Sequence, residues 1–512
     1  MPRIVLATLN AKYIHASLGL RCLLANLDLH GGAGLRAQTA LREFTIAQSP
    51  TQIAEELLAL QPEVLGLGVY IWNVVETTQV VRLLKALRPG LKVVLGGPEV
   101  SHEVDQQEIC RLADHVITGW GDVSFPKLCR ALLRLPGGGP QPLTKFIAGE
   151  QPPLAELALP YAEYTAADLA GRLLYVEASR GCPFKCEFCL SALDKTAWAF
   201  ELERFMASLQ TLFERGARNF KFVDRTFNLK IDNSARILQF FLDRLVLAPE
   251  MFVHFEVVPD SLPDRLKALI AQFPAGILQF EVGIQSFNPE VQQRIARRQD
   301  NARTADNLRW LVGESRAHVH ADLIFGLPGE TLQSFADGFD RLHQLAPHEI
   351  QFGVLKRLRG TPITRHTADF AMVYDPQPPY TILQNSSVDF SAMQRIKRFA
   401  RYWELIANSG RFGATLKLLL APGSAFGQFL AFSDWLWLET GKTHQFAFEN
   451  LVDFLHGHLT GPRQLPAAAV QAALLADYRG SGARGRPQCL AGLLAGLQAA
   501  DRNPPTPAGS QA

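Results

Sequence analysis

Cys182, Cys186 and Cys189 stand in the run Arg180-Gly181-Cys182-Pro183-Phe184-Lys185-Cys186-Glu187-Phe188-Cys189. Thiolates are soft ligands for iron–sulfur clusters or zinc, and the C-x3-C-x2-C spacing gathers all three on one short loop around a single metal centre. Three ligands leave one coordination position open, and an open position is where chemistry can happen. A structural zinc site normally takes four Cys or His ligands in paired knuckles, and this sequence holds no second pair. The spacing therefore favours a cluster. The other four cysteines, Cys22, Cys110, Cys129 and Cys489, are isolated and read as small buried hydrophobes.

The elements that position this loop follow from the rest of the chain. Its 512 residues suggest about three domains. Lys plus Arg total 51 against 49 Asp plus Glu, so no bulk field draws the protein to nucleic acid or anionic lipid. Hydrophobic residues make up 47%, and no apolar run reaches the length of a membrane span. The chain opens on the strand-like Arg3 to Thr8 without the features of a signal peptide, and its few clustered cysteines suit a reducing compartment, so the expected location is the cytoplasm.

Strands and helices alternate through residues 1–135, where continuous apolar strands separated by amphipathic helices predict a doubly wound α/β domain with a parallel sheet. Ligands of such sheets bind beyond the carboxyl ends of the strands. The loops there carry Tyr13 and His15, then Tyr70 and Trp72, then Gly96-Gly97-Pro98-Glu99-Val100-Ser101, then Gly119-Trp120-Gly121-Asp122. Glycine and aromatic residues suit a large flat ligand. The Pro/Gly-rich stretch that follows predicts a linker over 136–170. Alternation resumes over 171–370 with six strands, which suggests a partial (β/α)6 barrel open on one side, with the cysteine loop directly after its first strand. Beyond Pro376-Gln377-Pro378-Pro379 a mainly helical domain is expected over 371–500. Its stretch from Met393 to Trp403 has an apolar face at helical spacing, which usually marks core, and a basic face opposite, which usually marks a solvated surface. Residues 501–512, rich in Pro, Gly and Ser, are expected to be disordered.

The cysteine loop, with aromatic Phe188 just before Cys189, resembles the signature of the radical S-adenosylmethionine (SAM) enzymes. The resemblance implies that the cysteines hold three irons of a four-iron, four-sulfur (4Fe-4S) cluster whose fourth iron binds SAM, and that one electron splits the sulfonium to release a 5'-deoxyadenosyl radical. In that family the turn after the second barrel strand grips the methionine amino group. Asp224 stands there, and either accepts from that ammonium or pairs with Arg225. Glu256 and Asp260 after the third strand are candidates for the ribose hydroxyls, with Asp260 also suited to capping the next helix. Gly283-Ile284-Gln285-Ser286 and Asp322 to Thr331 resemble runs of the branch that includes the anaerobic coproporphyrinogen oxidases and methylthiotransferases. They put Gln285 and the backbone at Gly326 against the adenosyl group. Asp322 reads either as a cavity acid or as an acceptor for loop amides.

The crevice loops of the first domain resemble a cobalamin-binding domain, although Asp122 replaces the usual glutamate and the Asp-x-His-x-x-Gly motif of a histidine ligand is missing. Its imitation, Asp28 to Ala33, leaves His30 as a surface or capping residue. The resemblance implies a crevice made by Tyr13, Trp72, Gly96, Gly97, Ser101 and Gly119 that faces the barrel. Tyr70 or Trp72 would then stand under cobalt, and His15 would turn to the corrin amides or solvent. A flavodoxin-like module without that ligand is the alternative. The last domain resembles a domain of uncharacterised function found with cobalamin-type radical SAM proteins. Together these imply a radical SAM enzyme, cobalamin-dependent in methyl transfer or in rearrangement or cyclisation of a small molecule. They also imply a one-electron reductant such as flavodoxin or ferredoxin. A radical SAM enzyme without cobalamin, and a non-catalytic cluster or cobalamin sensor, are the other readings.

Overall fold

The computed structural model describes residues 1–140, 144–194 and 196–495. The first sheet is built from β1 (Ile4–Asn10), β2 (Thr39–Thr45), β3 (Val64–Gly68), β4 (Lys92–Gly96), β5 (His115–Thr118) and β6 (Phe146–Ala148), all parallel, in the order β2-β1-β3-β4-β5-β6. Every residue of β1 is buried, and its side chains alternate between two cores: Val5, Ala7 and Leu9 under one layer, Ile4 and Leu6 under the other. The layers are α1 (Leu18–Gly31), α2 (Pro50–Ala59), α3 (Val74–Leu87), α4 (Glu108–Leu112) and α5 (Ser124–Leu132). This is the doubly wound domain expected. Its strand order reverses between β1 and β3, which is where such a sheet opens a ligand crevice.

The segment expected as a linker over 136–170 is structured. β6 adds a sixth strand to the first sheet, and α6 (Ala166–Gly171) starts in a capping box between Thr165 and Asp168. The prolines and glycines break the chain as anticipated, but a three-residue edge strand carries too little apolar pattern to register in sequence.

The second sheet comprises β7 (Leu174–Val176), β10 (Asn219–Phe222), β11 (Phe252–Val257), β12 (Leu278–Gln285), β13 (His318–Phe325) and β14 (Glu349–Val354). Each pairs in parallel with the next, and β7 and β14 remain the two edges. This is a partial barrel. Two-residue strands β8 (Ser179–Arg180) and β9 (Trp198–Ala199) pair across the base of the cysteine loop. Helices α7 (Leu202–Glu214), α8 (Ile231–Leu242), α9 (Asp264–Ile270), α10 (Pro289–Arg294), α11 (Asn301–Gly313) and α12 (Leu332–Gln344) connect the strands. On β12 the buried Leu278, Phe280, Val282 and Ile284 alternate with Gln279, Glu281, Gly283 and Gln285. On β13 Val319, Ala321 and Leu323 alternate with His318, His320 and Asp322. The apolar set packs under the helices, so the other face, the lumen, is polar and acts as a cavity wall instead of a stacked core.

The last domain begins with the hairpin β15 (Val373–Tyr374) and β16 (Ile382–Gln384) and continues through α13 (Phe390–Ile406), α14 (Gly413–Leu420), α15 (Ala425–Thr440), α16 (Phe448–Thr460) and α17 (Ala467–Gly480). The apolar stripe of α13 is core: Phe399 and Trp403 stand 5.5 and 4.9 Å from Phe339 of α12, and Phe399 stands 4.9 Å from Phe352 of β14. The helical domain therefore covers the strand at one edge of the barrel opening. The tail at 501–512 lies outside the described residues.

Candidate active site

The cysteine loop leaves the carboxyl end of β7 and is held by its neighbours. Cys182 N donates to Asp194 O (3.2 Å), and Glu187 N donates to Ile295 O (3.0 Å). The buried Glu187 carboxylate binds His366 Nε2 at 2.8 Å and also pairs with Arg365. Cys182, Cys186 and Cys189 line one cavity of about 260 Å³. Among the described residues, no three His, Cys, Asp or Glu side chains are arranged to hold one metal ion. A cluster makes no such demand, because a cube takes its thiolates at separate corners, and the three cysteines lie along one cavity wall. Burial pushes the Cys182 and Cys186 thiols up in pKa, while Arg297, with Nη1 3.7 Å from the Cys186 sulfur, acts the other way.

Glu256, Gln285 and Asp322 line the same cavity. Gln285 sits at φ 70°, at the irregularity where β12 shifts register against β13, and its buried Oε1 has no hydrogen-bond partner. The Asp322 Oδ1 is likewise buried without a hydrogen bond, with His320 Nε2 3.4 Å away. Burial, then the charges of Glu281 and Glu256, raise the Asp322 pKa well above the carboxylate range. Glu281 behaves oppositely: burial opposes its ionisation, but the hydrogen bond from His254 and the charge of Lys221 hold it at about 2. Asp260 also lines the cavity, and it accepts from Asp300 N (2.8 Å) instead of capping α9.

Two expectations fail here. Asp224 neither faces this cavity nor pairs with Arg225. It is buried at the strand end, where it accepts from Ala178 N (2.9 Å) and the Ser179 hydroxyl (2.5 Å), while Arg225 binds Glu256 at 2.7 and 2.9 Å. Gly326 is absent from the cavity wall as well. At φ 91° it packs beneath the last domain, where a Cβ would come 2.7 Å from Ile382, so its glycine serves the seating of the hairpin.

A second cavity, of about 270 Å³, opens at the carboxyl ends of the first sheet and is lined by Gly66, Gly68, Gly96, Gly97, Gly119 and Trp120 among others. Gly97 has φ 113°, and a Cβ there would meet Val69 O at 2.5 Å. Ser101 ties two of these loops, accepting from Gly119 N (3.0 Å) and donating to Gly97 O (2.8 Å). Tyr13 and Trp72 lie outside the lining. Tyr13 is exposed beneath the Arg172 guanidinium (4.5 Å), and the half-exposed Trp72 stacks on Tyr70 at 4.4 Å, leaving Tyr70 to face the cavity. His15 turns away too, its Nδ1 bonded to the Tyr175 hydroxyl (2.8 Å). Among the described residues no histidine lines this cavity.

Trp120 and Asp122 were expected in the crevice, but their link to the cysteine loop was not read from the sequence. Arg180, at the root of the cysteine loop, lines the crevice. It binds Asp122 at 2.9 and 3.2 Å and Glu177 at 2.9 Å, and its guanidinium lies 5.0 Å over Trp120. Trp120 Nε1 donates to Asp194 Oδ2 (2.9 Å), the residue whose carbonyl receives Cys182 N. Two residues thus separate the crevice from the first cysteine. The alternation of polar residues along β11 to β13 was the available signal for Glu281, His254 and His320.

A glycine-lined crevice on a doubly wound sheet, tied through Trp120 and Asp194 to a loop that places three thiols in a partial-barrel cavity, is the arrangement expected of a radical SAM protein with a cobalamin-binding domain. The family models agree: the Radical SAM superfamily matches residues 176–342, the B12 binding domain 4–129, and a protein of unknown function, DUF4080, 368–491. The chain thus carries a radical SAM domain, a B12-binding domain and a DUF4080 domain, and the first two imply a 4Fe-4S cluster, SAM and cobalamin. It is similar to the 2-(S-pantetheinyl)-carbapenam-3-carboxylate methyltransferase of Streptantibioticus cattleyicolor, 26% identical over 323 residues, covering 57% of this chain and 47% of that protein. The chain thus spans about half the length of that relative. Among solved structures, the cobalamin-dependent SAM radical enzyme OxsB with aqua-cobalamin bound superposes with a TM-score of 0.62 at 13% identity, over 98% of this chain and 81% of the other. The radical SAM methyltransferase TsrM of Kitasatospora setae, with cobalamin and a 4Fe-4S cluster bound, gives 0.58 at 15%, over 86% and 99%. These two likenesses establish the fold. No helix among the described residues is long and apolar enough to cross a membrane.

Proposed function

We propose that the protein is a cobalamin-dependent radical SAM enzyme that transfers a methyl group to a small molecule. The observation that carries this reading is the link between the crevice and the cysteine loop: Trp120 and Arg180 line the crevice, Trp120 Nε1 donates to Asp194, and the Asp194 carbonyl receives the Cys182 amide. When bound, the cluster and SAM supply a carbon-centred radical and cobalamin supplies a methyl carrier. The chain's own residues bind, orient and manage protons. Gln285 and Asp322 present unpartnered buried acceptors to the cavity, which a polar ligand satisfies at no loss of protein hydrogen bonds. Arg225 and Glu256 neutralise each other beside it. Asp322, kept neutral beside an ionised Glu281 in the same cavity wall, is the group that can hold a proton there, the separation of pKa values that acid–base pairs exhibit. A one-electron donor of the flavodoxin or ferredoxin class supplies the reductant, and a reducing cytoplasm suits the chain.

Anaerobic reconstitution with iron, sulfide, hydroxocobalamin and a strong reductant tests the proposal. Both 5'-deoxyadenosine and S-adenosylhomocysteine should form from SAM, the second only when cobalamin is loaded. Formation of 5'-deoxyadenosine with no dependence on cobalamin favours an enzyme that does not use it. Formation of neither product, with both cofactors retained, favours a sensor.

A further inference from the structure

The basic face of α13 has no part in the site above, and the structure closes it over a separate cavity. Gln394, Lys397, Arg398 and Arg401 line one wall of a space of about 430 Å³. Trp437 near the end of α15, and Lys442 and His444 after the left-handed turn at Gly441, line the other. No residue of this wall belongs to the cysteine cavity.

The electrostatics are incomplete. Among the described residues no carboxylate is ion-paired with Lys397, Arg398, Arg401 or Lys442, although one turn away on the same helix Arg395 binds Asp434 at 2.5 Å. The partners present are neutral. Lys397 Nζ donates to the Thr381 hydroxyl (3.1 Å), Arg401 Nε donates to Thr443 O (3.2 Å), and the Arg398 guanidinium lies over the Trp437 ring (4.7 Å). Arg398 Nε is buried and has no hydrogen-bond partner. Asp375, the carboxylate that acts on Lys397 from the hairpin side, spends Oδ1 on Gln377 N (2.9 Å). Burial lowers the Lys397 pKa, and the charge of Asp375 offsets that only in part. Four cations facing one half-open space repel one another, and for Lys397 and Arg398, which are partly removed from water, the missing ion pair costs more. An anion removes both penalties. Two arginines offer forked N–H donors that match phosphate oxygens, and a stacked guanidinium is already oriented for them.

We propose that this cavity binds the diphosphate group of a soluble small molecule. The charge is too large, and the space too wide, for a single monoanion. Guanidinium groups from successive turns of α13 meet Lys442 across the gap, so two linked phosphoryl groups can engage both walls. The site lies in the domain of unknown function and gives it a ligand-binding role that does not rest on the proposed methyl transfer.

Isothermal titration of the full chain with inorganic pyrophosphate tests it, with sodium sulfate at matched ionic strength as the control. Pyrophosphate should bind in one-to-one stoichiometry, and Arg398→Gln should weaken it about tenfold, as expected for loss of one charge-assisted contact. Lys442 is exposed, so Lys442→Gln keeps the fold while weakening binding in the same direction. Retention of cobalamin by both variants reports that the first domain is intact. Binding of sulfate as tight as pyrophosphate, pyrophosphate binding unchanged in the double variant, or capture of the chain by phosphatidylserine vesicles that pyrophosphate does not reverse would each overturn the proposal.

Discussion

Single side chains carry most of the testable chemistry. Three thiolates are the minimum that holds a cube with one open iron, so Cys182→Ala, Cys186→Ala and Cys189→Ala should each lose the brown chromophore after anaerobic reconstitution and reduce 5'-deoxyadenosine formation to background. Any one of them that keeps both would remove that residue from the ligand set. A different residue, His458, sets a pH limit on stability. Both of its ring nitrogens are buried without partners between Phe432 and Trp435, and burial lowers its pKa to about 4. The unfolded residue titrates near the ordinary value of about 6.5. Below that pH the unfolded chain therefore takes up a proton that the folded chain refuses. Stability is unaffected above about pH 6.5 and declines as pH falls toward 4, by up to about 3 kcal/mol. His458→Phe, which suits an aromatic surround, should erase that decline, and denaturant midpoints of variant and wild type should diverge as pH drops. A pH-independent difference would show that the folded protein protonates His458 without penalty.

Among the elements, the cysteine loop depends on a latch from a different domain. Trp120 after β5 donates to Asp194, and Asp194 receives the amide of Cys182, so the crevice wall and the first ligand move together. Asp194→Ala leaves the indole N–H unpaired in a partly buried position. With charge-assisted hydrogen bonds worth about 1.5–3 kcal/mol, the change should weaken cobalamin retention roughly tenfold, as read by absorbance after desalting. Equal retention would show that the latch is passive. This latch also marks where sequence reasoning ran out. The barrel strands could be read because strands such as β11 and β12 are bounded stretches with apolar residues at most or alternate positions, placed at even spacing, and the cysteines because their spacing is a property of one loop. β2, with only Thr39 and Phe44 fully buried, could not be read, since an edge strand half open to water lacks that pattern. Asp224 and Gly326 stood at the expected strand ends, yet side-chain direction there is decided by Ser179 in one case and by Ile382 of a later domain in the other. Arg180 and Trp120 lie 60 residues apart and meet only because the sheets face each other.

At the scale of the molecule, the two sheets present their carboxyl ends to one another, and ion pairs lock that arrangement on both sides. At the β7 side, Arg21 is 1% exposed and binds Glu43 and Asp168 at 2.8 Å each. At the β14 side, Arg359 binds Glu99 (2.9 Å) and Glu103 (3.0 Å), Arg357 binds Glu103 (3.0 Å), and the Tyr380 hydroxyl donates to Glu99 (2.6 Å). Glu99 follows β4, Arg359 follows β14 and Tyr380 belongs to the last domain, so all three domains meet at one buried carboxylate. A paired buried charge adds little net stability, but removing one partner strands the other, typically at about 3–5 kcal/mol. Arg359→Ala leaves Glu99 with the Tyr380 hydroxyl alone and loosens the first domain on the barrel. Calorimetry should then resolve an early transition for that domain, separate from the barrel and helical domain that share one apolar core. Replacing both partners, Glu99→Gln with Arg359→Met, should recover part of the loss because no charge is left stranded. If Arg359→Ala melts in one step at the wild-type temperature, the pairs on the β14 side do not govern docking, which then rests on the Arg21 pairs and on the Trp120 and Arg180 contacts.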